Sequence, residues 1–142
     1  MPEHVETDDA IASCYDVMAE LRRHVSREKF VPLVRALQAE GLRLACIRVD
    51  DRVVAVAGYR VSTNLFYGRH LYVDDLVTSD AERSKGYGKE LLAWLRALAV
   101  ANDCDALHLD SGVQRKRAHQ FYLREGLELS SYHFSERLKP RP

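Results

Sequence analysis

The sequence predicts an α+β fold: a mixed β-sheet flanked by about four helices. Three observations carry that expectation. Helix-period segments open the chain and return near its end. Between them lies a run of strand-like segments, two of which are joined by the short polar link Asp50-Asp51-Arg52. A glycine-bearing loop, RSKGYGKELL from Arg83, then stands between a strand and a helix. Such an order of elements buries helix stripes against the faces of one sheet.

Each element follows from its own pattern. A short extended piece, Glu3 to Glu6, opens the chain. Thr7 or Asp8 can cap a helix running to about His24, with Ile11, Tyr15, Met18 and Leu21 on one face. Ser26 can cap a second helix over Phe30 to Glu40, ended by Gly41; Pro32 blurs its start. Leu42 to Val49 and Val53 to Val61 read as a hairpin. TNLFYGR reads as a loop, and Arg69 to Thr78 as a third strand. A helix from Lys89 to about Ala101 follows the glycine loop. Ala106 to Asp110 reads as a short strand, Arg115 to Glu125 as a helix stopped by Gly126, and Leu127 to Phe134 as a last strand.

The 142 residues fit a single domain, 1–142, with enough chain for a real core. Apolar residues make up 46% and charged residues 30%, the profile of a soluble globular protein. Formal net charge is zero, so no general electrostatic case exists for nucleic acid or membrane partners. No apolar run reaches the roughly 20 residues that span a bilayer, and MPEHVETDDA is too polar for a signal peptide. Cys14, Cys46 and Cys104 form no CxxC or zinc spacing and read as reduced thiols of a cytoplasmic protein. His108, Asp110 and His133 show no metal spacing either, so no metal is expected.

The glycine loop poses the functional question. Arg83, Lys85 and Lys89 crowd the start of a helix, where the dipole already places positive charge. The ATP-type loop fails, because Glu90 stands where a hydroxyl should hold magnesium. The dinucleotide fingerprint fails at its third glycine, which is Leu91. Arg-x-x-Gly-x-Gly remains, a short form whose backbone N–H groups can turn toward a pyrophosphate. The bland alternative is a tight turn with solvated cations.

RSKGYGKELL resembles the acetyl-coenzyme A loop of the GCN5-related N-acetyltransferases (GNAT), with the motif Arg/Gln-x-x-Gly-x-Gly/Ala. RAHQFYLREGLE, Arg117 to Glu128, is similar to that family's A-x-x-F-Y-x-x-x-G-F segment, and LYVDDLVTSDAERSKGYG to its fourth strand and loop. The resemblance covers nearly the whole chain and implies the GNAT fold, acetyl-CoA as cofactor, CoA as product and a primary amine as acceptor. It implies that strands ending at Thr78 and Asp110 part for the pantetheine arm, with Leu76, Val77 and Thr78 offering backbone groups. It implies that Ser84, Lys85, Gly86, Tyr87, Gly88 and Lys89 wrap the pyrophosphate beside Arg83.

The same resemblance makes Tyr122 the general acid that protonates the departing thiolate; the alternative is an amphipathic Tyr on a half-buried helix face. Phe121 is expected to be mainly core, with cofactor contact. Asp74 and Asp75 sit in the apolar strand LYVDDLV, where charge is costly unless paired or exposed to a cleft. Adjacent strand residues point to opposite faces, so one face is not expected to hold both. Asp74 shares its face with Tyr72, and the resemblance, by which some polyamine-acetylating relatives carry a Glu there, implies a base acting through a water; Tyr72 and Asp75 are expected to meet a cationic substrate, and ordinary ion pairing is the alternative for both acids. Arg115 is expected at the phosphate end of the coenzyme, and His119 to be a structural hydrogen-bonder. The acceptor is expected to be a small amine: polyamine-like, amino acid-like or aminoalkylphosphonate-like. A protein amine is an alternative acceptor, and a non-catalytic acyl-CoA sensor an alternative function. A homodimer is expected, with LELSSYHF as a pairing edge.

Overall fold

The computed structural model describes residues 1–141. Its elements are β1 (Pro2–His4), α1 (Asp8–Ser13), α2 (Tyr15–Leu21), α3 (Arg27–Ala39), β2 (Arg43–Val49), β3 (Arg52–Asn64), β4 (Gly68–Thr78), a short 3-10 turn (Asp80–Glu82), α4 (Tyr87–Ala101), β5 (Ala106–Leu109) and α5 (Lys116–Arg124). The sheet order is β1-β2-β3-β4-β5. Strands β1 to β4 pair antiparallel. The helical crossover through α4 between neighbours β4 and β5 makes the sheet mixed. The chain divides into two compact units, Met1–His108 and Leu109–Pro142.

In the first unit, α1, α2 and α3 cover one sheet face through Ile11, Cys14, Val17, Met18, Phe30 and Val34, which cluster with Leu44, Cys46 and Val56. Helix α4 packs against the strands with Leu91, Leu92 and Leu95, none of which retains exposed surface. Burying a side chain of this kind contributes about 1.5–3 kcal/mol. The hairpin link is built as expected: Asp50 and Asp51 take φ of 52° and 62°, the left-handed pair that matches strand twist. Cys14, Cys46 and Cys104 are free thiols.

Three expectations change. The first helix is two helices. The chain tightens at Cys14, whose N–H bonds back to Ile11 O, while Ser13 Oγ donates to Ala10 O. Pro32 lies inside α3, whose start moves back to Arg27; as the sixth helical residue it forgoes the bond that an N–H there would give to the Glu28 carbonyl, and the helix continues past it. The third is larger: Leu127 to Phe134 form no strand. Leu129, Tyr132 and Phe134 are exposed. Alternation alone does not make a strand where no neighbour supplies a ladder.

Candidate active site

Strand β4 carries the centre of the site, and a bulge decides its geometry. Gly58 pairs with Asp75 and Tyr59 with Val73, so Asp74 is an extra residue in β4. Two residues thus oppose one, and the strand's alternation is reset. The expectation that Asp74 and Asp75 occupy opposite faces is therefore corrected. A Cβ built on Gly58 would lie 2.6 Å from Asp75 Oδ2, and Arg60, two residues along β3, donates to Asp74 Oδ2 at 3.0 Å. Both carboxylates lie over the same side of β3.

Each carboxylate has an arginine. Arg22, just past α2, donates through Nε to Asp75 Oδ1 at 2.7 Å and through Nη2 to the Asp74 carbonyl at 2.7 Å. Arg60 holds Asp74. The ion-pair alternative is thus realised for both acids, but it does not exhaust Asp74. Its Oδ1 is buried with no hydrogen-bond partner among the described residues. Burial pushes the Asp74 carboxyl above the usual carboxylate range, against the pull of Arg60. A buried acceptor without a donor is costly, and an incoming N–H group relieves that cost. Tyr72 is the Cα partner of Arg60.

Leu76, Val77 and Thr78 pair with Ala57, Val56 and Ala55 of β3. Ser79 then leaves the sheet, and the 3-10 turn leads into the glycine loop. Ser84 takes φ 67° and Gly86 φ 86°. A Cβ on Gly86 would meet nothing within 4 Å, so the left-handed backbone, not crowding, asks for glycine. Gly86 caps α4 without any side-chain hydrogen bond, and the helix's own bonding resumes only with Glu90 N–H to Gly86 O. The N–H groups of the first turn, at Tyr87, Gly88 and Lys89, have no intrahelical partner and suit an anion.

The loop cations differ from expectation. Lys85 Nζ binds Glu82 Oε2 at 2.7 Å, and Arg83 binds Asp80 Oδ1 at 2.6 Å. Glu82, buried, is also held by Arg52 at 2.7 Å. Its carboxyl is held below the usual range, first by the Lys85 hydrogen bond. Lys85 and Arg83 therefore shape the loop, while Lys89 is exposed.

In the second unit, Arg115 is the N-cap residue of α5, with Phe121 and Tyr122 in its last turns. Burial pushes the Tyr122 hydroxyl above its ordinary value, opposed by the charge and hydrogen bonding of Arg115. A phenol kept protonated at neutral pH can donate to a leaving thiolate. The Phe121 and Tyr122 rings lie 5.4 Å apart. His119 Nε2 contacts Gly112 O at 2.7 Å, a structural bond.

The family model for the acetyltransferase (GNAT) family matches residues 11–127. The chain belongs to the GNAT acetyltransferases. The N-acetyltransferase YhdJ of Bacillus subtilis (strain 168), itself uncharacterized, is 35% identical over 125 residues, covering 87% of this chain and 88% of that protein. The aminoalkylphosphonate N-acetyltransferase of Salmonella typhimurium (strain LT2) is 33% identical over 66 residues, covering 46% and 43%. The fold matches a crystal structure described as a transcriptional regulator from Bacillus halodurans C-125, with TM-score 0.85 at 21% identity, covering 97% and 99%. This GNAT chain is an N-acetyltransferase, and no helix among its described residues is long and apolar enough to cross a membrane.

Sequence reasoning missed five contributors to the site. Arg22 and Arg60 pair with the acids from 53 and 14 residues away. Glu82, buried, organises the loop cations. His70 and His108 touch each other across two strands, Nδ1 to Nε2 at 2.8 Å. One signal was available: His70, Tyr72 and Asp74 alternate along β4 as a polar row in an apolar strand.

Proposed function

We propose that this GNAT enzyme transfers the acetyl group of acetyl-CoA to the primary amine of a small molecule. The observation that carries this reading is the buried, partnerless Oδ1 of Asp74. It offers an acceptor to an ammonium group beside Tyr72, at the strand that leads into the glycine loop. In this reading the coenzyme pyrophosphate lies on the first-turn N–H groups of α4, within the loop from Arg83 to Lys89. Leu76, Val77 and Thr78 follow the pantetheine with their backbone, and Arg115 and Phe121 contact the coenzyme. Asp74 receives the amine and takes its proton through a water, and Asp75 helps to orient the substrate. The amine attacks the thioester carbonyl, the carbon–sulfur bond breaks, and Tyr122 gives its proton to the thiolate. The protein works as a homodimer in the cytoplasm.

The charge pattern favours a zwitterion over a polyamine. Each carboxylate on this face carries its own arginine, so the surface offers both signs within a few ångströms. An amino acid or an aminoalkylphosphonate has an ammonium for Asp74 and an anion for a guanidinium. The Salmonella relative supports the phosphonate class.

The test begins with thermal melts in acetyl-CoA, CoA, ATP and NAD, since a ligand of the native state raises Tm by mass action. Stabilisation by the two coenzyme A forms alone is expected. Thiol release is then measured with 2-aminoethylphosphonate, lysine, putrescine and a lysine-bearing peptide. Turnover of the first two above putrescine is expected. Preference for the peptide would replace the small-molecule reading, and no shift with millimolar acetyl-CoA would remove the cofactor assignment.

A further inference from the structure

The acceptor reading leaves a proton to be disposed of, and the first unit contains a path for it. His70 is buried in β4 at 6% exposure, one of only two buried polar or charged side chains among the described residues. Its Nδ1 lies 2.8 Å from His108 Nε2 on β5. Its Nε2 lies 3.3 Å from Ser62 Oγ on β3, and Ser62 is exposed. His108 is covered by aromatic rings: Tyr67 stacks on it at 4.1 Å and Tyr72 leans on it at 4.9 Å. Asp74 is two residues beyond Tyr72 along β4, about 7 Å at strand rise.

An imidazole pair in this contact holds one hydrogen between two nitrogens. With His108 Nε2–H donating to His70 Nδ1 and His70 Nε2–H donating to Ser62, all three groups form one directed chain. A proton added to His108 moves its Nε2 hydrogen onto His70 and the His70 hydrogen toward Ser62. The positive charge thereby travels from His108, beside Tyr72, to the surface.

We propose that His108 and His70 form the proton outlet of the acetyl-transfer reaction, draining the ammonium proton to solvent through Ser62. The proposal rests on the acceptor reading above. One N–H bond of the ammonium breaks and its electron pair stays on nitrogen as the nucleophile; Asp74 takes the proton through a water, water beside Tyr72 hands it on to His108, and it leaves through the pair. The second N–H proton, lost after attack, restores the one that Tyr122 gives to the thiolate. The charged groups on the surrounding elements are Arg60 on β3, Arg69, Asp74 and Asp75 on β4, Asp105 before β5 and Arg22 after α2. Arg60 and Arg22 are bound to Asp74 and Asp75, Arg69 donates to Asn102 O, and the Asp105 carboxylate lies over Gly68.

The experiment is the pH profile of kcat for wild type, His108→Gln and Ser62→Ala, on whichever amine of the panel wild type acetylates fastest. A melt confirms that each variant is folded. His108→Gln is expected to lower kcat about 10- to 100-fold at pH 7, with KM changed less than about twofold. The deficit is expected to shrink as pH approaches the amine's own pKa, about 10 for an alkyl amine, because a neutral amine has no proton to drain. Ser62→Ala is expected to show the same trend more weakly. A deficit equal at every pH, or none, overturns the outlet and leaves the acceptor reading standing. Failure of wild type to acetylate any amine overturns the acceptor reading, and the outlet with it.

Discussion

Helices α4 and α5 both begin amid cations, and the two starts are built differently. At α4, Asp80 and Glu82 each stand three residues before a cation and bind it. What remains for an anion is the exposed Lys89 and a backbone turned outward by the left-handed Gly86. At α5, no acid occupies the first turn, and Arg115 spends its charge on the hydroxyl of Tyr122. The same sequence signal, cations at a helix start, thus marks a mostly backbone cradle in one place and a tuned phenol in the other. Counting cations overstates an anion site unless acids three residues away are subtracted.

The largest effect that sharpens this contrast lies at α5. Tyr122→Phe is expected to lower kcat about 10²- to 10⁴-fold, with the acetyl-CoA Kd unchanged by calorimetry. A variant with full turnover, in an assay limited by chemistry, would remove the phenol from the reaction. The next lies at α4. Gly86→Ala forces a side chain into the left-handed region at about 1–2 kcal/mol; the free loop relaxes away from that strain, and restoring the cradle should weaken acetyl-CoA binding by up to about 5- to 30-fold. Unchanged affinity would break the backbone-cradle reading, since the added Cβ meets no neighbour.

Smaller effects test the partners. Glu82→Gln frees Lys85 and Arg52 beside the loop and should tighten CoA binding by about two- to fivefold at low salt, the scale of exposed ion pairs. The gain should fade as salt rises. Because the Glu82 carboxyl is depressed, its contribution to folding is present above the ordinary Glu range and lost as pH falls through the lowered value; the variant's melting curve should lose that acid sensitivity. Arg115→Gln should change kcat least, less than about threefold at pH 8. It removes a charge that favours the phenolate, so the alkaline limb belonging to Tyr122 should move to higher pH.

Most strands and helices were legible because their periods are local. The joint at Cys14 was not, because a single backbone turn and a serine hydroxyl decide it. The segment after Gly126 has the alternation of a strand, yet a strand also needs a ladder beside it. In the site, Asp74 and Asp75 announced themselves as charges in an apolar run. Their partners did not: Arg22 arrives from the end of α2, and the Arg60 contact depends on register. The His70 and His108 pair needed the cross-strand register too, although HLYVDD already shows one polar row.

The single extra residue in β4 has a consequence for insertions and deletions. It acts as a phase marker in the strand. Removing Asp74 would leave Val73 opposite Tyr59 and Asp75 opposite Gly58, so the ladder would close and every flanking side chain would keep its face. What the strand would lose is the doubled position: one carboxylate, not two, would stand over Gly58, and the bend of the bulge would go with it. A substitution at Asp74 alters one group. A deletion there also straightens the strand, and such a length variant should fold while losing turnover on the amine.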